Sequence, residues 1–142
     1  MDDSIRKFIE KQKCASICCV NDSGEPYCFS SFYVFNGKAS LLYFKSSADT
    51  NHIRNIKLNP LIAGTILPDK MHALVIKGIQ FQGTVLPSLD ERTKDASMHY
   101  HAAFPFALAV PGEIWTIQLT HIKMTDSTHG FGAKVIWDAA LS

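Results

Sequence analysis

The dipeptide Asn36-Gly37 sits between two runs rich in apolar and aromatic residues, Tyr27 to Phe35 and Ala39 to Lys45. Both central positions of a type I′ turn need positive φ, and Asn-Gly adopts it readily. The pair therefore predicts a two-residue hairpin between antiparallel strands. In the first run Tyr27, Phe29, Ser31, Tyr33 and Phe35 alternate with Cys28, Ser30, Phe32 and Val34. Both faces are mainly apolar, which predicts a strand in the middle of a sheet.

The flanking segments extend this pattern. Ile5, Phe8 and Ile9 recur at i, i+3, i+4 within 3–13, predicting a short amphipathic helix over one end of a core. Ala15 to Val20 is a small apolar run closed by the turn cluster Asn21 to Pro26. A helix is predicted over 50–58, with Asp49 or Thr50 as N-cap, Ile53 and Ile56 inward, and Pro60 ending it. Leu61 to Leu67 reads as a strand. Residues 72–86 read as a long strand or bent pair, with Gly78 and Gly83 marking a bulge or close approach. Ser88 and Glu91 match a capping box, predicting a helix from near Leu89 toward His101. Glu113 to Thr125 alternates as a last long strand, followed by a short apolar segment ending at Trp137. Six or so strands with three short helices predict an α+β domain whose antiparallel sheet closes into a barrel, because closure removes exposed edges.

Composition narrows the function classes. The 142 residues are 46% hydrophobic, with 14 Lys and Arg against 13 Asp and Glu. That is enough for one domain spanning 1–142 with a real core, and it excludes intrinsic disorder. The basic excess of a nucleic-acid binder is missing, so no nucleic-acid partner is expected. No apolar stretch approaches the roughly 18 residues of a membrane span, and Met1 to Lys7 carries charges where an export signal has its apolar core. The expectation is a cytoplasmic protein with no membrane partner.

Cys14, Cys18, Cys19 and Cys28 contain no C-x-x-C pair and no matching histidine spacing, so no metal site is expected. They read as buried free thiols, with a redox role for Cys14 or Cys28 as the alternative. His99 and His101, two apart on a helix, point to different faces. Ser30-Ser31 lacks a glycine elbow, and Gly130 to Lys134 lacks the Ser/Thr of a phosphate-binding loop.

The stretch Tyr43 to Arg54 carries the most chemistry. A strand ends, hydroxyl residues cluster, and a helix begins, so free backbone N–H groups and the helix dipole face one corner. Ser46, Ser47 and Thr50 add hydroxyl donors; Lys45, His52 and Arg54 are candidate positive charges. Such a corner suits a phosphate. An ordinary capped surface helix would carry the same hydroxyls, and the Asp49 carboxylate repels an anion unless it points away.

The order of these motifs resembles the FMN-binding split barrel, the superfamily that includes pyridoxamine 5′-phosphate oxidase. It is carried by Gly24-Glu25-Pro26-Tyr27, Leu42 to Ser46, Thr50-Asn51-His52, Asn59-Pro60 and Ile79 to Gly83. The run Asp126 to Lys134 is similar to that of an uncharacterised small bacterial branch. The resemblance implies an antiparallel six-stranded split β-barrel with flanking short helices, FMN as cofactor, and a homodimer with the flavin at its interface. Ser46 falls where the superfamily has a phosphate-binding hydroxyl, and Thr50-Asn51-His52 where it has Ser-Arg-Lys. Asn51 and His52 thus replace two permanent cations, which predicts weaker FMN binding that falls as pH rises past the His52 pKa. The ring would lie along Phe29, Ser30, Ser31 and Phe32. Lys77, Gly78, Gln80 and the tail from Thr125 to Lys134 match the elements a partner subunit contributes. Trp115 and Trp137 lie near enough in the pattern to flank the ring, but read first as core residues.

Phe29 and Val34 stand where the oxidase has an Arg and a substrate-binding Lys, and its C-terminal Arg/His pattern is replaced around Phe131, Ala133 and Lys134. These losses argue against pyridoxamine-phosphate oxidation. The expected function is an FMN-dependent oxidoreductase acting with NAD(P)H or another small substrate. The alternatives are a non-catalytic flavin or haem carrier, with His52 or His121 as axial ligand, and an interaction module that has lost its cofactor.

Overall fold

A computed structural model describes residues 1–141. Seven antiparallel strands follow in chain order: β1 (Cys14–Val20), β2 (Pro26–Asn36), β3 (Leu41–Ser46), β4 (Leu61–Ile66), β5 (Lys77–Val85), β6 (Glu113–Asp126) and β7 (Lys134–Asp138). The helices are α1 (Asp3–Lys11), α2 (Asn51–Leu58) and α3 (Ala96–Ala103). Sheet order is β3-β2-β1-β4-β5-β6-β7, and β3 also pairs with β6. That last pairing closes β1 to β6 into a six-stranded split barrel, with β7 appended, in an α+β fold.

Alternation sets the inside of the barrel. Ile62, Gly64 and Ile66 of β4 face inward and meet Ile79 and Phe81 of β5. Strand β3 is buried on both faces. Leu42 and Phe44 enter the barrel core, whereas Leu41 and Tyr43 join a second cluster with Leu86, Ala96, Tyr100 and Ala107 beneath α3. Burying a side chain the size of Phe44 contributes about 1.5–3 kcal/mol. Helix α1 buries the Ile5, Phe8, Ile9 stripe as expected, and the Tyr33 hydroxyl donates to the Ile9 carbonyl at 2.7 Å, pinning the helix to the barrel end.

Several expectations are corrected. The hairpin turn is not type I′. Residues 37–40 form a longer turn in which Ser40, not Asn36 or Gly37, takes positive φ (56°). Asn36 stays in β2, where its side chain donates to the Tyr43 hydroxyl and accepts from Ala39 N. Strand β2 is internal in the sheet order, yet its first half is largely exposed rather than buried on both faces. The capping box at Ser88 does not form. Asp90 caps a short 3-10 turn instead, and α3 begins only at Ala96. Leu86 still hydrogen-bonds to Thr116 of β6, which holds this chain segment against the sheet. Residues 72–76 lie outside β5, while the irregularity expected at Gly83 is present as a register shift between Gln82 and Gly83.

The cysteines differ most from expectation. Cys18 and Cys28 are disulfide-bonded, Cys14 is an exposed thiol, and only Cys19 is a buried one. The β1–β2 register places Cys18 directly opposite Cys28. Periodicity puts Cys18 and Cys19 on opposite faces but does not reveal which residue each faces across the ribbon.

Candidate functional site

The hydroxyl corner assembles where β3 ends and α2 begins. Thr50 is the N-cap, its hydroxyl accepting from Ile53 N at 3.4 Å and donating to the Ser47 carbonyl at 2.9 Å. Ser46 Oγ lies 3.4 Å from Thr50 Oγ1 and 2.6 Å from His52 Nε2. The His52 ring stacks on Phe29, with centroids 3.8 Å apart and planes at 11°. Phe29 in turn leans on buried Phe44 at 5.6 Å. Burial holds the His52 pKa below its ordinary 6.5. The corner's imidazole is therefore neutral near pH 7, and the free protein supplies no ring charge there.

Beside this corner the β2 backbone has an open edge. The β2–β3 ladder begins at Tyr33↔Phe44, whereas β2 pairs with β1 from Pro26 to Phe32. Residues 26–32 therefore have a strand neighbour on one side only, because the β2–β3 ladder stops at Phe44 and β3 itself ends at Ser46. Of the expected ring-lining residues, Phe29 points inward onto His52. Ser30 is exposed, the Ser31 hydroxyl donates to the Phe32 carbonyl, and Phe32 lies outward against Phe104 at 5.6 Å.

Not every expected residue gathers here. Lys45 turns away from the corner: its ammonium donates to the Ala107 carbonyl at 2.6 Å and lies 3.0 Å from His101 Nε2. Strand alternation explains this, since Phe44 and Lys45 must point to opposite faces. Asn51 and Arg54 are exposed on α2. Lys77, Gly78, Gln80 and Lys134 lie far along the sheet. Lys77 pairs in register with Asp126 at one end of β6, while Ser46 pairs with Glu113 at the other. Lys77 Nζ is 3.3 Å from the buried Asp126 carboxylate, Lys134 donates to Thr125 Oγ1, and Gln80 is exposed. In one chain these four do not join the corner.

Two further residues adjoin the corner: Trp115, expected as a core residue or a flank of the ring, and Lys57, which the sequence reading did not single out. Trp115 donates from Nε1 to the Ser46 carbonyl at 2.9 Å, and Lys57 Nζ sits 5.8 Å over the Trp115 ring. The β3–β6 pairing brings Trp115 there, and no local pattern announces a contact 69 residues apart. Lys57, one helical turn beyond Ile53, was legible as a residue of α2 but not as a cation over a ring. Trp115 and Trp137 are both buried core residues. Cavities of about 650, 490, 410, 320 and 250 Å³ open elsewhere, and Ser46, Thr50 and His52 line none of them. The corner is a surface cradle in the single chain. No group of three or more His, Cys, Asp or Glu is placed to hold a metal among the described residues. None of the described helices is long and apolar enough to cross a membrane.

Replacing Thr50 by alanine removes the only side-chain cap of α2 and is expected to lower stability by about 1 kcal/mol. Urea denaturation followed by circular dichroism measures it, with unchanged midpoint as the contrary result.

Comparison with known proteins adds to this geometry. A family model described as pyridoxamine 5′-phosphate oxidase matches residues 1–125. A UPF0306 protein of Photorhabdus laumondii subsp. laumondii is 37% identical over 133 residues, covering 94% of this chain and 92% of that protein. Among solved structures, a heme-binding protein from Mycobacterium smegmatis superposes with a TM-score of 0.77 at 14% identity. The match covers 94% of this chain and 55% of that one, so the chain spans about half the length of that protein. A FAD-binding protein from Mesorhizobium loti superposes with a TM-score of 0.69 at 15% identity, covering 89% and 95% of the two chains. At these identities the two structures are alike in fold.

Proposed function

Because the chain belongs to the pyridoxamine 5′-phosphate oxidase family, we propose that it binds FMN, with the phosphate in the corner of Ser46, Ser47, Thr50, Asn51 and His52. The observation that carries this is the open β2 edge at 26–32, lying beside a corner of hydroxyls and a capped helix start. The donor set suits a phosphate: the Ser46 and Thr50 hydroxyls, and the N–H groups of the first turn of α2. The strand-free edge of β2 at Ser30 to Phe32 offers backbone groups to the polar edge of an isoalloxazine. The Mesorhizobium loti structure is named for binding FAD, which agrees with a flavin on this fold.

When bound, FMN supplies a two-electron acceptor for a hydride from NAD(P)H or another small substrate. The chain's own part is binding and orientation. Ser46 Oγ exchanges His52 for a phosphate oxygen, and Phe29 keeps the imidazole in place by stacking. In a homodimer of the kind the family resemblance implies, Lys77, Gly78, Gln80 and Lys134 would meet the flavin from the second subunit; within one chain they stand far from the corner. Phe29 and Val34 give no cation for a pyridoxamine-phosphate substrate, which argues against that oxidation.

The pH dependence follows from His52. Its pKa is depressed in the free protein by burial, and a bound dianion pulls it back up. Binding then takes up a proton, so affinity falls as pH rises from the free-protein pKa through the bound-state value. Fluorescence titration with FMN between pH 6 and 8.5 is expected to show this fall, and His52→Gln to flatten it. A dissociation constant independent of pH in the parent protein would reject the role of His52. Failure to bind FMN at tens of micromolar would reject the flavin reading itself.

A second reading, haem binding, rests on His121. Its Nδ1 lies 3.5 Å from the Asp138 carboxylate, an arrangement that orients the other ring nitrogen for ligation. His121 also lines a cavity of about 410 Å³ with Gln80, Gln82 and Lys123. The Mycobacterium smegmatis structure is named for binding heme. A Soret band on haem addition that is lost in His121→Ala supports this reading; twin flavin bands with no Soret band support the first.

A further inference from the structure

The Cys18–Cys28 bond has features of a reactive centre rather than a structural clamp. It joins two strands already paired over seven register positions, and its cysteines are only 10 residues apart in sequence. Breaking it releases no separate element of the fold. The Cα atoms are 4.2 Å apart, the spacing of a non-hydrogen-bonded pair, so the backbone ladder on either side does not depend on it. The sulfurs lie on the outer face of the sheet: Cys28 is exposed and Cys18 half-buried. Cys19, one residue along, faces inward and is buried.

The surroundings admit a reagent from both sides. Beyond Cys28 lies the β2 edge that no strand covers, which leaves the rear of its sulfur open to in-line attack. Beyond Cys18, two cavities of about 410 and 490 Å³ both include Cys18, Ala63 and Gln82 in their walls. The first also contains Lys123, whose positive charge favours a leaving thiolate at Cys18, and His121, whose imidazole faces the Asp138 carboxylate. Attack at Cys28 with Cys18 as leaving group therefore meets an open path and a favourable departure.

We infer that Cys18 and Cys28 form a reversible dithiol–disulfide centre, opened by a dithiol that attacks Cys28. The attacking thiolate forms a mixed disulfide with Cys28 Sγ as the Cys18–Cys28 bond breaks. The electron pair goes to Cys18 Sγ, which takes up a proton. The second thiol of the reagent then attacks its own mixed-disulfide sulfur, releasing Cys28 as a thiolate that is protonated in turn. The reagent leaves as its disulfide, and the protein has gained two electrons and two protons. Because the open β2 edge beside Cys28 is also the one the flavin reading uses, the reaction is followed with and without added FMN, and the inference stands or falls on the result without it.

The test uses the full chain with Cys14→Ser, which removes the exposed free thiol, and dithiothreitol and glutathione disulfide as reagents. Mass-tagged alkylation is expected to count one thiol (Cys19) in the oxidised protein and three after millimolar dithiothreitol, with the far-ultraviolet circular dichroism unchanged. A glutathione titration is expected to give one midpoint with a two-electron slope. When the oxidised protein is exposed briefly to glutathione and quenched with acid, peptide mapping is expected to find the glutathione mixed disulfide on Cys28 at least tenfold more often than on Cys18. Three thiols after exposure to glutathione disulfide, a bond that dithiothreitol opens only in denaturant, or equal trapping on the two cysteines would each overturn the inference.

Discussion

Gly64→Ala is expected to be the most damaging single methyl addition in the barrel, lowering stability by about 3 kcal/mol. Gly64 faces the core from β4, opposite Ile17 on one side and Phe81 on the other. A Cβ there would come within 2.3 Å of Phe81 Cζ and 2.5 Å of the Ser16 carbonyl oxygen. The Phe81 ring is buried in the barrel core, so it yields only by displacing its core neighbours. The Ser16 carbonyl belongs to a strand held on both edges, so it cannot retreat without disturbing the β1–β4 ladder. A fall in Tm of roughly 10 °C is the calorimetric expectation. Adding Phe81→Leu should recover part of the loss by removing the aromatic clash. An alanine at Gly24, where no atom lies within 4 Å, should cost far less despite its positive φ. Equal losses at Gly64 and Gly24 would show that backbone conformation, not space, decides both.

Ser46→Asp is expected to weaken FMN binding by about 100-fold or more while leaving riboflavin binding nearly unchanged. The argument is electrostatic. Ser46 Oγ is the most central hydroxyl of the corner, within hydrogen-bonding range of both Thr50 and His52. A carboxylate in its place meets the phosphate directly, and like charges at contact cost several kcal/mol, with each 1.4 kcal/mol a factor of ten. Riboflavin carries the same ring without the phosphate, so it reports whether the β2 edge still receives the tricycle. Fluorescence titration of both ligands checks the pair. Equal weakening of the two would mean that the substitution deforms the corner, and no weakening of either would place the phosphate elsewhere. The Ser46 side chain is only half-buried, so a folded, soluble variant is expected.

What could be read from sequence was local. The α1 stripe, the Thr50 cap, Pro60 as a terminator and the long β6 alternation all depend on residues within one or two turns of each other, and all are present. The corner itself was legible for the same reason: Ser46, Thr50 and His52 lie within seven residues, so the helix start alone brings them together. Register and closure were not legible. Whether Cys18 meets Cys28 depends on how residues 21–25 turn, and the carbonyl of Glu25 accepting from Asn21 N fixes that count. The direction of Lys45 depended on which face of β3 the barrel claims, and both faces are apolar. The Asn-Gly turn failed as a type I′ signal because Asn36 found a better use for its side chain, bridging to Tyr43 within the ribbon.

The placement of β6 has a consequence for how the molecule comes into being. This strand is the shared neighbour of β3, β5 and β7, and it spans residues 113–126 of a chain of 142. During synthesis, everything up to β5 can at most form an open curl with two raw rims. The seam between the early strand at 41–46 and this later one cannot be stitched until residues 113–126 have emerged from the ribosome. Nascent chains stalled before residue 113 should therefore remain readily digested by protease, and resistance should arrive in one step rather than strand by strand.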